Sequence, residues 1–396
     1  MDDHLLPARA AAARLGVKPA TLYAYVSRGR LEARTRPGHR GSWFDPVELD
    51  AVAGRSRAPA ERRPDLRVTS AITRIDGGRY WYRGVSPDAL AASRSFEAVV
   101  EWLWTGVEPP EPAPWDADAS AAARARDAVA LLPRAASPTD RLRVVIAVLA
   151  AADPLRADLR PAGARATARR LMATAVAALA RRRGGSIAAQ VASWLGPARA
   201  TARAVAAVNQ TLVVMADHEL AASTVAVRVA ASFKADPYAA AGAGLGAVSG
   251  AWHGAASRRV EALLDAVARG RAPADAIGRL LGPGALVPGF GHPLYPDGDP
   301  RVAMLLPLAR RIDPAVGARA DAVLAVAAAQ GLPPANVDFA LAALTRALGF
   351  AAGAGEGLFA VGRLAGWLAH ALEEYTARTD FRLRAIYTGP RPAAGE

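Results

Sequence analysis

The sequence predicts a mainly α-helical protein, and three observations lead there. Apolar residues make up 52% of the 396 positions, yet aromatics reach only 6%. Much of the apolar content is alanine, the best helix former and small enough for close helix packing. Ser and Asp caps stand ahead of apolar runs, whereas strands alternating with helices, the mark of a doubly wound sheet, are missing. A chain of this length holds two or three domains and a large core.

The first 55 residues read as a unit of their own. "LPARAAAARLGVKPATLYAYVSRGRLEA" carries two short helical patterns. The first ends at Gly16. The second starts near Lys18, with Pro19 in the first turn, Leu22 and Val26 on one face, and Gly29 as its stop. "LEARTR", a Pro37-Gly38 turn and "GSWF" form a short hairpin pattern. "DPVELDAV" restarts a helix, with Asp45 as cap, Pro46 in the first turn and Glu48 closing a box. Helix, turn, helix and hairpin resemble the winged helix-turn-helix of MerR-type regulators and excisionases. That resemblance places Arg28, Arg30, Arg34, Arg36 and Arg40 near phosphates, and Thr21, Tyr23 and Tyr25 near a groove. The same module also serves for protein contact, so DNA and a protein partner both stay open. Residues 56–65, inside "AGRSRAPAERRPD", form a Pro/Arg linker.

From Leu66 the texture changes. Asp76-Gly77-Gly78 marks a hairpin. "SPDALA" and "SFEAVVEWLW" start helices behind Ser caps. An alanine-rich helical stretch follows, from about Ala117 to Ala207. "GAGLGAVSG", Gly242 to Gly250, imitates a dinucleotide fingerprint, but no strand precedes it and the glycine spacing breaks. It reads as a small-residue helix packed closely on a neighbour.

Composition removes several function classes. There is no cysteine, hence no disulfide, thiolate metal site or cysteine nucleophile. No run of about 18 uncharged apolar residues spans a membrane, and "MDDHLLPARA" lacks a signal core. A cytoplasmic protein is expected. The net charge of +13 invites nucleic acid, but only Lys18 and Lys234 of the 49 basic residues are lysine. Arginine excess spread along an Ala/Gly/Pro-rich chain points to codon composition more than to a binding surface.

The chemistry sits in a few segments. Among six histidines, three stand in unusual settings. "MADHELAAST" sets His218 between two acids, "GAWHGAAS" sets His253 at a helix break, and "VPGFGHPLYPDGDPR" holds His292 and Arg301 in a stiff loop. "PPANVDFALAALTRALG" puts Asp338 at the head of an apolar helix. These histidines lie tens of residues apart, unlike zinc ligands, and no nucleophile elbow is present. No metal is expected. Histidines, one carboxylate and arginines suit general acid–base work on a carboxylate substrate.

Taken together, "TSAITRIDGGRYWYRG", "ADHELAAST", "PYAAAGAGLGAVSGAWHGAAS", "PGFGHPLYPDGDPR", "NVDFALAALTRALG", "LFAVGRLAGWLAHALEE" and "RLRAIYTG" resemble citrate synthases in order and spacing, over about 66–390. The resemblance implies a catalytic region at 66–396, with a small helical domain at roughly 256–343 closing on a large one. It implies a homodimer. Acetyl-CoA would condense with oxaloacetate and the thioester would hydrolyse to citrate and CoA, with no cofactor beyond the substrate CoA. Asp338 would take the methyl proton, His253 would donate to the thioester oxygen, and His292 would polarise the ketone. His218, Arg301 and Arg363 would hold oxaloacetate, and Arg382 would come from the partner. Departures are Met215, Ala221, the "GAAS" after His253, Pro293 and the residue between Arg382 and Arg384. A 2-methylcitrate synthase using propionyl-CoA fits the same motifs. A DNA-binding regulator with a ligand-sensing body is the alternative from another class.

Overall fold

The structure, a computed structural model, describes residues 5–27, 31–35, 41–46, 48–49, 68–197, 199–250, 256–280, 287–377, 379 and 381. Contacts gather the chain into two units, Met1–Val68 and Thr69–Glu396.

In the first unit, β1 (Leu6–Pro7) leads into α1 (Ala8–Leu15), and α2 (Pro19–Ser27) follows a tight turn. Gly16 stops α1 at φ 67°, a left-handed cap that glycine adopts without strain. Ala11, Ala12, Leu15, Leu22, Leu31, Phe44 and Leu49 form a separate small core. β2 (Trp43–Phe44) pairs antiparallel with β1, Leu6 against Phe44. A two-residue strand with a proline has no alternation to read, so this pairing was not foreseeable. The expected "LEARTR" arm contributes one bridge, Arg34 to Trp43. Arg34 turns inward to Glu48 at 2.7 Å, with Asp45 and Glu32 each at 3.4 Å, so three acids offset its charge. Thr21 and Tyr23 are exposed. Arg28, Arg30, Arg36, Arg40 and the Pro37-Gly38 turn lie outside the described residues.

The second unit opens with a hairpin, β3 (Thr73–Asp76) and β4 (Arg79–Tyr82), in register from Thr73 with Tyr82 to Asp76 with Arg79. Gly77 and Gly78 turn the chain at φ 52° and 73°, as a two-residue hairpin loop requires. Helices follow: α3 (Pro87–Ser93), α4 (Phe96–Thr105), α5 (Ala119–Ala130), α6 (Pro138–Ala152), α7 (Pro161–Leu179), α8 (Ile187–Leu195) and α9 (Ala202–Met215). Then come α10 (Ala222–Ser232), α11 (Pro237–Val248), α12 (Ala256–Ala268), α13 (Pro273–Gly278), α14 (Pro300–Ile312), α15 (Pro314–Ala329), α16 (Val337–Ala347) and α17 (Ala354–Thr376). Ser95 caps α4 by accepting from the Ala98 amide, whereas Ser86 turns its hydroxyl to Asp88 instead of capping α3.

Two packing centres organise these helices. α17 is buried on nearly all sides from Ala354 to Ala371 and touches α4 and α6 to α12. An all-round apolar helix belongs inside. α12, α14 and α15 instead gather about α16, with α13 packed on α12 and α15. Small residues set the spacing at the first centre. A Cβ on Gly244 would lie 2.7 Å from the Trp367 ring, and one on Gly366 2.1 Å from Asp217. Of the fingerprint-like glycines, Gly244 is a close-packing residue of α11, as the sequence reading had it, whereas Gly242 and Gly246 face open space. No described helix is long and apolar enough to cross a membrane.

Candidate active site

The stiff loop is held by the segment that starts α16. The Gly291 amide donates to the Pro334 carbonyl at 2.8 Å, and the Asn336 amide to the Gly289 carbonyl at 2.9 Å. Asn336 Nδ2 donates to the Gly291 carbonyl at 2.9 Å, while its Oδ1 caps α16 by accepting from the Asp338 amide at 3.0 Å. Gly289 sits at φ 85°, and a Cβ there would meet Val260 at 2.6 Å. Only glycine fits both constraints. One asparagine thus fixes the His292 loop against the helix that presents Asp338.

His292 stacks on Tyr295 at 4.8 Å between centroids and meets the His218 ring edge-on at 5.5 Å. The Leu294 amide donates to His292 Nδ1 at 3.2 Å. An acceptor Nδ1 leaves the neutral ring's proton on Nε2, where it can be donated to an oxygen. His218 is buried, and its Nε2 shares a 2.8 Å hydrogen bond with the Tyr295 hydroxyl. Tyr80 closes on the other edge of His218 at 5.7 Å.

Two buried arginines face the same space. Arg301 lies in the first turn of α14, gripped by the cap residue Asp299 through Nε at 2.9 Å and Nη2 at 2.8 Å. Burial alone would raise the Asp299 pKa, but the Arg301 guanidinium outweighs it and holds the carboxyl below its usual range. Arg363 projects from α17, donates Nε to the Met215 carbonyl at 3.1 Å and lies 4.9 Å over the Phe359 ring. Its Nη2 is buried with no hydrogen-bond partner among the described residues. Met215 thus bonds Arg363 through its backbone carbonyl, whatever its side chain.

Asp338 completes the ring of groups. Burial pushes its carboxyl up to about 7, with Arg301 pulling down and Asp299 adding to the rise. A carboxylate poised near neutral pH is suited to proton abstraction. His218, His292, Arg301, Asp338 and Arg363 all line one cavity of about 730 Å³. Of the site residues expected from sequence, these five meet. His253 and Arg382 lie outside the described residues. Tyr295, Asp299 and Asn336 were not singled out, although each stands within a quoted motif.

The comparisons with known proteins agree with one another. Residues 66–384 match the family described as "Citrate synthase, C-terminal domain". Citrate synthase 2 of Bacillus subtilis is 30% identical over 353 residues, covering 82% of this chain and 94% of its own. The 2-methylcitrate synthase of Mycobacterium tuberculosis is 32% identical over 376 residues, covering 83% of this chain and 92% of its own. Among solved structures, citrate synthase of Thermoplasma acidophilum, in ternary complex with carboxymethyl coenzyme A and oxaloacetate, superposes with a TM-score of 0.69. It shares 23% identity over 83% of this chain and 96% of that one, a likeness of fold. The Pyrobaculum aerophilum enzyme gives 0.68 at 24% identity over 91% and 96%.

Proposed function

The chain belongs to the citrate synthase family, the acyltransferases that condense an acyl-CoA with oxaloacetate, and we propose that it does so in the cavity between α14, α16 and α17. The observation that carries the assignment of roles is Asp338, a carboxylate raised to about 7 across one cavity from two histidines and two buried arginines.

Arg301 and Arg363 take the two carboxylates of oxaloacetate, since each guanidinium can bind a carboxylate through two donors. His292 hydrogen-bonds the ketone oxygen through its Nε2–H, and His218 lies beside it. Asp338 removes a proton from the acyl α-carbon. The enolate carbon attacks the ketone, and the alkoxide takes a proton from His292. A free carboxylate is far too weak a base to hold the carbanion alone. A donor at the thioester oxygen must share the charge, a contribution of about 3 kcal/mol, and His253 is assigned that part by its place in the motif. Water then cleaves the thioester, releasing CoA. Residues 256–343 close as the small domain and keep water out during condensation.

We assign acetyl-CoA as the acyl donor, with propionyl-CoA as the alternative, because one methyl separates them. The working unit is a homodimer, to which the partner supplies Arg382. Exposed Val225 and Val229 along α10, with Phe233 at its C-terminal cap, support a covered face. Residues 1–55 serve as a DNA-binding module, supported by two short helices on the Gly16 turn with Thr21 and Tyr23 exposed. The setting is cytoplasmic.

A CoA-release assay with oxaloacetate and either thioester tests the main reading. Turnover should appear with wild type and vanish in Asp338→Ala with the fold intact. Saturable oxaloacetate binding without turnover on either thioester would make the body a ligand sensor. Salt-sensitive DNA binding lost on deleting residues 1–55 tests the module; unchanged binding in the deletion would reject it.

A further inference from the structure

His370 takes no part in the chemistry above. It lies on α17, fully buried, and lines no part of the candidate active site. Its Nδ1 is 2.8 Å from Arg228 Nη1 of α10. A guanidinium can only donate, so Nδ1 accepts and the neutral ring carries its proton on Nε2. A second ring proton would have to point at the Arg228 cation. Nε2 faces the buried carboxylate of Asp217, 3.4 Å from each oxygen. Arg228 is itself buried, paired with Glu373 at 2.8 Å and Glu374 at 2.9 Å.

α17 meets the segment ahead of His218 residue by residue. Arg363 Nε donates to the Met215 carbonyl at 3.1 Å, the Gly366 amide to the Ala216 carbonyl at 2.8 Å, and His370 reaches Asp217. Arg363, Gly366 and His370 stand three and four apart, on one helical face. The Asp217 amide donates to the Tyr82 hydroxyl at 3.1 Å, so β4 holds the same residue from another side. Asp217 Oδ2 also accepts from the Glu219 amide at 3.0 Å, closing a local turn over His218. Glu219 sits in that turn at φ 53°, a left-handed conformation that glutamate seldom adopts.

We propose that Asp217 and His370 are positioning residues for the keto acid, fixing where His218 and Arg363 stand in the cavity. The inference rests on the reading of that cavity as the oxaloacetate pocket. Neither residue lines the cavity, so both act through others. Arg228 has a part too, since it sets the tautomer that aims the His370 proton at Asp217. Asp217 also serves Arg363 as counter-charge without occupying its donors. Burial lowers the Arg363 pKa and the Asp217 charge opposes that fall, while Nη2 keeps no hydrogen-bond partner among the described residues. Asp299 does the reverse, gripping two donors of Arg301.

Two conservative variants separate positioning from plain support. The amide of His370→Gln reaches where Nε2 stands and can still donate to Asp217. That of His370→Asn reaches only where Nδ1 stands and can meet Arg228 alone. Each gives up one of two bonds, so unfolding midpoints in denaturant should fall alike. Calorimetric titration with oxaloacetate should find His370→Gln near wild type and His370→Asn weaker by about tenfold. The KM for oxaloacetate should rise by a similar factor in His370→Asn, with the KM for acetyl-CoA unchanged. In NMR of ring-labelled histidine without ligand, the His218 signals, identified by their loss in His218→Asn, should move in His370→Asn and stay in His370→Gln. Equal oxaloacetate affinity in wild type and both variants, equal losses in the two, or unmoved His218 signals would overturn the proposal. Failure of the pocket reading would show separately, as a wild type that binds no oxaloacetate, and the His218 signals would then decide the positioning alone.

Discussion

Asp299 grips Arg301 through both carboxylate oxygens, and its Oδ2 also accepts the Val337 amide at 2.9 Å. One acid therefore ties the first turn of α14 to the first turn of α16, and with it an anchoring arginine to the residue beside Asp338. Replacing it by Asn leaves a buried guanidinium short of its counter-charge. We expect Asp299→Asn to lower the unfolding free energy by about 3 kcal/mol in denaturant titration. The KM for oxaloacetate should rise more than kcat falls. Because Arg301 holds the Asp299 pKa down, its contribution should be intact at neutral pH and decline only as pH falls below about 4.

Asp338 carries the opposite linkage. Its folded pKa is raised to about 7, so the folded state holds a proton that the unfolded chain has released. Stability is then unaffected below about pH 4 and declines as pH rises toward 7. Asp338→Asn should match wild type at pH 4 and exceed it at pH 8, by roughly 2 kcal/mol given partial solvent access to the side chain. With Asp338 as the proposed base, kcat/KM of the wild type should fall on the acid side with a midpoint near 7. Equal stability of the two proteins at pH 8 would reject the buried-acid account.

Tyr295 separates two roles within one side chain. Its ring carries the His292 stack and its hydroxyl the His218 bond. Tyr295→Phe keeps the first and removes the second, leaving His218 Nε2 without that partner, at a cost of about 1 kcal/mol. Steady-state kinetics should show KM for oxaloacetate about fivefold higher with kcat nearly unchanged. Tyr295→Ala should lower kcat as well, since His292 then loses its support.

Gly244 tests the packing centre. An alanine there would put Cβ 2.7 Å from the Trp367 ring and 2.8 Å from Val227. Helix propensity alone would favour alanine, yet overpacking should prevail and lower stability by about 2 kcal/mol. A more stable Gly244→Ala would show that α11 and α17 can move apart.

Much of this was legible in the chain. Gly16, Pro19, the Gly77-Gly78 turn and the Ser95 cap announce themselves because each answers a local backbone need. His292, Arg301 and Asp338 stand out because loop glycines and a capped helix start surround them. The β1–β2 pairing did not, since its register depends on residues 36 to 38 positions apart and on no local pattern. Tyr295 and Asp299 were overlooked for a different reason. Their roles are defined by partners, and a tyrosine or an aspartate in a Pro/Gly loop looks alike with or without one.

The Arg363 guanidinium gives the last consequence. Nη2 is buried, and no described acceptor reaches it. Folding this chain therefore strips water from a cation that the protein itself only half satisfies. A dicarboxylate that reaches it would act as a missing piece of the interior, and ligand binding would count as part of folding. The melting temperature should climb with the logarithm of oxaloacetate concentration once binding saturates, and Arg363→Met should raise the ligand-free melting temperature while abolishing that climb. On that account the enzyme is least stable when it has nothing to do.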